Sequence, residues 1–346
     1  MPLSKNATFR QLAAFHAVAR VGSVSLAADE MHLTQSAVSI QIGILEESAG
    51  TPLLQRVGRG IRLTEAGELL ATYAKRILDV WREAGEEMAA LQGVFSGTLR
   101  VGAVTTAEYL LPPLLVTFAN EHPKVNVKLQ VGNRDEIIRL LVSHDIDLAI
   151  MGRPPAELKT NSSAFAKHPM GFVAAPSHPL MVDPALSLAT LADARLLVRE
   201  RGSGTRTTVE RLFKDAGHRL RIGSEMSSNE AIKQMCAAGF GVAFLSLHTC
   251  VLEMNAGMLQ LLPIADNPIE RDWYVIHLAA RQLPQVAAAF EQFLREEGQA
   301  QLKRQLQQTT SPAAPAAASS RPGRHARAKK AAPSARTLTG TRAKPR

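Results

Sequence analysis

The chain has 346 residues, 46% of them apolar, which suffices for two or three folded domains with cores of their own. No apolar run approaches the roughly 18 residues of a membrane span, and the opening MPLSKNATFRQLAAF lacks a signal-peptide pattern. Its two cysteines exclude a disulfide framework or a cysteine-held metal, so a reduced, cytoplasmic protein with no cofactor and no membrane partner is expected.

The net charge of +9 suggests a nucleic-acid partner, but its location matters. From Gly298 to Arg346 there are 11 Lys/Arg and no Asp/Glu, so residues 1–297 hold 29 basic and 31 acidic residues. The basic excess belongs to the C-terminal stretch, and any DNA-binding argument must come from a motif.

Phe9, Leu12, Phe15, Val18 and Ala19 recur at helical spacing. Gly22-Ser23-Val24-Ser25 breaks this first helix, and Ser25 is placed to cap a short second one, Leu26 to Met31. After the His32-Leu33-Thr34 turn, Gln35 to Ser48 reads as a third helix with Val38, Ile42 and Leu45 inward. Two short helices around a tight turn form a helix-turn-helix pattern. Leu53–Arg56 and Ile61–Leu63 then flank Val57-Gly58-Arg59-Gly60 as a two-stranded wing.

Thr64 opens a long helix to about Gln92. Its apolar positions Leu70, Tyr73, Ile77, Val80, Ala84, Met88 and Leu91 alternate steps of three and four, a narrow seam that predicts pairing with a second helix. From Gly97, strands and helices alternate, which predicts parallel sheets arranged in two α/β lobes with a site between them. A last helix is expected over Leu283–Arg295. From about Thr309 the composition turns to Pro, Ala, Ser and Arg/Lys and predicts disorder.

The expected fold is thus an all-α winged helix-turn-helix domain (1–67), a linker helix (68–96) and a two-lobed, periplasmic-binding-protein-like α/β domain (97–298). Lobe I takes 97–168 and 272–298, lobe II takes 169–271, and a basic tail takes 299–346.

The stretch from Phe9 to Arg56, with Ala27-Ala28, Thr34-Gln35-Ser36-Ala37-Val38-Ser39 and Leu53-Leu54-Gln55-Arg56, closely resembles the DNA-binding domain of LysR-type regulators. Leu63-Thr64-Glu65-Ala66-Gly67 is similar to that family's wing-to-linker join. Gly97 to about Leu294 resembles the effector domain of regulators of Calvin-cycle (ribulose bisphosphate carboxylase) operons. TTAEYLLPPLL, VGNRDEIIRLL, DLAIMGRPP, RERGSGTRTTVERLF and SSNEAIKQMCAAGFGVAFLS carry that likeness. The resemblance implies a transcription regulator with no enzymatic activity, a homodimer or homotetramer, a partly palindromic double-stranded DNA site, RNA polymerase as a partner and a small-molecule effector. A regulator of another operon, sensing a different anion, is the alternative. A solute-binding protein shares the two-lobed fold but predicts a signal peptide and no helix-turn-helix.

A recognition helix presents its N-terminal residues to the major groove. Gln35 and Ser36 are therefore the base-reading candidates, with Ser25, Thr34, Ser39 and Gln41 beside them. No Lys or Arg lies between Thr34 and Leu45, so phosphate anchoring is assigned to Arg56, Arg59 and Arg62 of the wing.

In the effector domain, strand-to-helix turns are the places for an anion. Thr105, Thr106 and Ala107 form one such turn, and Gly202, Ser203, Gly204, Thr205 and Arg206 another. Arg153 and Arg199 add guanidiniums suited to a phosphorylated or carboxylated metabolite. Asn133, Asn229 and Ser246 complete the candidates, with Asn229 alternatively part of a helix cap.

Overall fold

The computed structural model describes residues 7–58, 60–91, 95–183 and 185–310. The expected tail beyond Thr310 and Arg59 of the wing lie outside them.

Helices α1 (Phe9–Val21), α2 (Val24–Glu30) and α3 (Gln35–Ala49) precede a hairpin of β1 (Leu54–Val57) and β2 (Gly60–Leu63). A capping box between Thr8 and Gln11 starts α1, and Gly22, with φ of +66°, ends it. Ser23 caps α2 by accepting the Leu26 N–H. Ser25, expected as that cap, falls inside the first turn instead. Ala14, Val18, Ala27, Ala28, Val38 and Ile42 close the core of the three helices.

The long helix α4 (Glu65–Leu91) leaves the wing at Gly67, where a Cβ would lie 2.0 Å from the Leu53 carbonyl oxygen. Only glycine permits that approach. Leu70 and Ala74 are buried with Phe15, Leu45 and Leu53, so Leu70 belongs to this core and not to the expected seam. The exposed apolar stripe begins one residue earlier: Leu69, Tyr73, Ile77, Val80, Trp81, Met88 and Leu91 are all open to solvent.

The first lobe contains β3 (Gly97–Val104), α5 (Leu111–Glu121), β4 (Val125–Gly132), α6 (Arg134–Val142), β5 (Leu148–Met151) and β6 (Thr160–Lys167). The second contains β7 (Met170–Ala174), α7 (Leu188–Asp193), β8 (Leu196–Arg199), α8 (Gly204–Asp215), β9 (Ile222–Met226), α9 (Asn229–Ala237), β10 (Val242–Ser246), α10 (Val251–Asn255) and β11 (Gln260–Leu261). The chain then returns to the first lobe as β12 (Asp272–Leu278) and α11 (Gln285–Thr310).

The sheet orders are β4-β3-β5-β12-β6 and β11-β7-β10-β8-β9. Both are mixed, against the expectation of parallel sheets. β12 runs antiparallel to β5 and β6, and β7 antiparallel to β10 and β11. The physical reason is the hinge: strands that enter or leave a lobe directly have no helical crossover to turn them parallel.

Two segments cross between the lobes side by side. The His168 N–H donates to the Arg271 carbonyl at 2.7 Å, the Arg271 N–H donates back at 3.2 Å, and Met170 bridges Ile269.

α11 is longer than Leu283–Arg295 because its second half packs as well. Leu302 is buried in the first lobe's core, and the Gln299 side chain accepts the Lys167 N–H at 2.7 Å. The tail expected from residue 299 therefore starts with ordered helix. No helix among the described residues is long and apolar enough to cross a membrane.

Candidate functional site

At the start of α3, Thr34 is the N-cap and accepts the Ala37 N–H at 3.2 Å, while its hydroxyl lies 3.0 Å from that of Ser36. Gln35, Ser36 and Ser39 are exposed, Gln41 is half-buried, and Ser25 on α2 is half-buried. Ile40, four residues after Ser36 and 60% exposed, shares this face. Its aliphatic side chain has the chemistry for a thymine methyl, and a hydrophobic residue mid-helix carries no sequence sign of facing outward.

The hairpin register pairs Gln55 with Arg62 and Arg56 with Ile61. Arg56 and Arg62 thus lie on opposite faces of the wing. Arg62 is on the solvent face, whereas Arg56 shares the face by which Leu54 and Ile61 reach the core. Both arginines are exposed.

Between the lobes, beside the hinge, lies a cleft of about 250 Å³, just below the roughly 300–1,000 Å³ usual for ligand sites. Of the sequence candidates, Thr105, Thr106, Asn133, Arg153, Ser203, Gly204 and Thr205 line it. Ala107, Gly202 and Ser246 do not, nor do Arg199, Arg206 and Asn229.

Arg199 and Arg206 lie behind the wall, each paired within the protein. Arg199 is 2% exposed and holds both Glu200 carboxylate oxygens, at 2.8 and 3.0 Å. It also donates to the Thr105 hydroxyl at 2.9 Å and to the Asn229 side-chain Oδ1 at 2.5 Å. Arg206 is held by Glu210 at 2.7 Å and Glu225 at 2.5 Å, and its hydrogen bonds to both keep its pKa above the usual arginine value. Both guanidiniums thus sit against protein carboxylates: Arg199 links the lobes through Thr105, and Arg206 ties α8 to β9.

Three other guanidiniums face the cleft. Arg153 and Arg211 are exposed and Arg271 is half-buried, and among the described residues none has a carboxylate within 4.0 Å. Burial, then Arg211 and Arg153, pull the Arg271 pKa below its usual value. Arg271 donates to the Thr208 hydroxyl at 2.6 Å. Arg134, also in the wall, lies 3.9 Å from the exposed Glu157 and 3.7 Å from the Met151 sulfur.

Arg211 sits two turns along α8 from Gly204, on the face of Thr207 and Thr208, and helical spacing from the glycine turn points to it. Arg271 carries no local signal, because it reaches the cleft only through the second hinge crossing.

The two helix N-termini also differ. α6 is closed by a capping box in which the Asn133 side chain accepts the Glu136 N–H and Glu136 accepts the Asn133 N–H. At α8 the Ser203 N-cap makes no side-chain capping bond. The free N–H groups of that turn, the Ser203 and Thr205 hydroxyls and the positive end of the helix dipole converge with the unpaired guanidiniums. The turn after β3 leads into a short 3₁₀ turn, Ala107–Tyr109, and not directly into an α-helix.

The bacterial regulatory helix-turn-helix model of the lysR family matches residues 9–68, and the LysR substrate binding domain model matches residues 92–299. The chain belongs to the LysR family. It is a DNA-binding transcription regulator built from a helix-turn-helix domain and a two-lobed α/β effector domain.

The RuBisCO operon transcriptional regulator of Allochromatium vinosum is 39% identical over 290 residues, covering 84% of this chain and 96% of the relative. The regulatory domain of Synechocystis CcmR, solved in complex with 2-PG, is 38% identical with a TM-score of 0.55, covering 58% of this chain and 96% of that one. Full-length CbnR, solved in complex with its target DNA, is 26% identical with a TM-score of 0.61, covering 83% and 99%.

Proposed function

We propose that this LysR-family regulator controls a CO2-fixation operon and is switched by a small phosphorylated carboxylic acid held in the hinge cleft. The similarity to a RuBisCO operon regulator supports the target, and the 2-PG complex of CcmR supports the ligand class.

The observation that carries the ligand class is the cluster of Arg153, Arg211 and Arg271, three cations without carboxylate partners beside the uncapped N-terminus of α8. A phosphate ester carries about 1.5 to 2 negative charges near neutral pH, and a carboxylate adds one more. 2-Phosphoglycolate therefore matches the unpaired charge of the cleft. Thr105, Thr106 and Arg153 bind from the first lobe, Ser203, Thr205 and Arg211 from the second, and Arg271 from the hinge.

A ligand that touches both lobes favours one lobe arrangement over another, and shifts the equilibrium by its differential affinity. In the cytoplasm the active species is a homodimer or homotetramer joined through the α4 stripe. Gln35 and Ser36 read a partly palindromic double-stranded site, with Ser39, Gln41, Thr34 and Ser25 as flanking contacts. Arg62, Arg59 and Arg56 anchor the phosphates, the basic residues after 310 add non-specific attraction to DNA, and RNA polymerase is the further partner.

The test is thermal denaturation of the full chain with 2-phosphoglycolate. Stabilisation of about 2.7 kcal/mol is expected at one hundred times the dissociation constant, and Arg211→Ala should remove most of it. The absence of any shift, or an equal shift in the variant, would overturn this reading.

A further inference from the structure

The hinge contributes a second side chain to the cleft besides Arg271. His168, directly opposite Arg271 on the neighbouring crossing segment, lines the same cavity and is 3% exposed. Neither of its ring nitrogens has a hydrogen-bond partner. Buried polar atoms are almost always paired, and leaving one unpaired is costly, so a doubly unpaired imidazole at a ligand site needs an explanation.

The ring is held firmly in place. It stacks on the buried Trp273 with centroids 3.8 Å apart and planes 16° from parallel. A Cβ at position 152 would lie 2.7 Å from the His168 Nδ1, so Gly152 makes room for the ring at the end of β5. Trp273 donates its indole N–H to His248 at 3.1 Å, which leaves His248 unable to serve His168 through that atom.

The surrounding charge is one-sided. His248 and Arg271 face the imidazole most closely, and after burial they are what hold it neutral, with a pKa well below the usual histidine value. His248 is itself pushed down to about 4 by burial. Across the cleft stand Arg153, Arg211 and Arg134, and among the described residues Glu157 is the one carboxylate in the lining, 3.9 Å from Arg134. Among those residues no carboxylate hydrogen-bonds the His168 ring.

We propose that His168 is an effector-recognition residue that hydrogen-bonds the bound anion and takes up a proton as it does so. The inference rests on the cleft being the effector site. An anion neutralises the guanidiniums that disfavour the imidazolium and supplies the acceptor that the ring lacks, so both terms raise its pKa on binding. Ligand affinity contributed by His168 is then full below the free-state pKa and is lost as pH rises through the bound-state pKa. Because the ring lies on a hinge segment, the same bond forms only in the lobe arrangement that brings the ligand against the crossing strands.

The experiment is titration calorimetry of the full-length chain with 2-phosphoglycolate near neutral pH, in two buffers of unlike ionisation enthalpy. It compares the unaltered chain with His168→Gln, His168→Phe and Arg211→Ala. The unaltered chain should take up more protons per ligand bound than either His168 variant. Its affinity relative to theirs should fall as pH rises, by up to about ten-fold per pH unit. The ligand's own ionisation is common to all and cancels in the comparison. His168→Phe keeps the stack on Trp273, so a purely structural role would leave its proton count like that of the unaltered chain.

Equal proton counts and parallel pH profiles, with binding lost only in Arg211→Ala, would overturn the role of His168 and leave the cleft standing. Binding that survives Arg211→Ala unchanged would overturn the cleft itself.

Discussion

A single atom decides several positions in this chain. At Gly67 a methyl group would collide with the Leu53 carbonyl oxygen, whereas at Gly85, in the same helix, nothing lies within 4 Å. Gly67→Ala should therefore destabilise the DNA-binding domain by roughly 1–3 kcal/mol, while Gly85→Ala should stabilise the helix by about 0.4–1 kcal/mol. Chemical denaturation of the two variants checks the pair, and similar effects at both sites would refute the close approach.

The residue scale is also where sequence says least about pairing. Arg199 and Arg206 stand in the expected loop with the expected charge, and the structure pairs them with Glu200, Glu210 and Glu225. Those acids are close in space partly through sheet pairing, β8 beside β9. The free cations are defined by the absence of such neighbours, which one-dimensional spacing does not encode.

At the scale of elements, helices with strong caps and periodic cores were legible almost to the residue. Thr34 and Gly50 bound α3, and the glycine-rich turn does begin α8. Sheet direction was not legible, because it depends on which strands cross the hinge. The exposed stripe on α4 was legible as a seam, but Leu70 was assigned to it from spacing alone, although the wing junction buries that residue.

α4 is also fastened to the first lobe by charge. Arg100 on β3 donates to Asp79 at 2.8 Å and to the fully buried Asp147 at 3.0 Å, and Arg281 joins Glu83 at 2.5 Å and Asp147 at 2.9 Å. Lys75 pairs with Asp79 at 3.1 Å and with Asp145 at 3.5 Å.

Burial alone would raise the Asp79 pKa, but Arg100 and Lys75 outweigh it and the net shift is downward. A depressed carboxyl contributes stability above its unfolded value, about 3.9, and that contribution is lost as pH falls through the lower folded value. Asp79→Asn should cost roughly 1–3 kcal/mol at neutral pH, and the deficit should shrink below about pH 4. A deficit that stays constant through acid titration would show that the charge network does not hold α4 to the lobe.

At the scale of the molecule, the described chain leaves a long apolar stripe on α4 uncovered, with Leu91 88% and Leu69 64% exposed. A stripe of this length on one helix calls for a second helix. Replacing Ile77 and Val80 by Asp should convert the assembly to smaller species in analytical ultracentrifugation, and an unchanged sedimentation profile would place the interface elsewhere.

In the proposed switch, a ligand in the hinge cleft would act on DNA along this chain of contacts: the first lobe is tied by ion pairs to α4, and α4 packs into the core that positions α3. The overall plan of reading head, linker and two lobes was visible in sequence because each part carries its own periodicity. The full lining of the cleft was not, because it comes from both lobes and from the hinge.

The most direct test of this account follows the bend of a fluorescently end-labelled operator by energy transfer as 2-phosphoglycolate is titrated into its complex with the full-length regulator. The account predicts a saturable change in the bend with the unaltered chain and none with Arg211→Ala, although the variant binds the operator as tightly. A ligand that binds the protein yet leaves the DNA unchanged, or an Arg211→Ala chain that responds like the original, would contradict it.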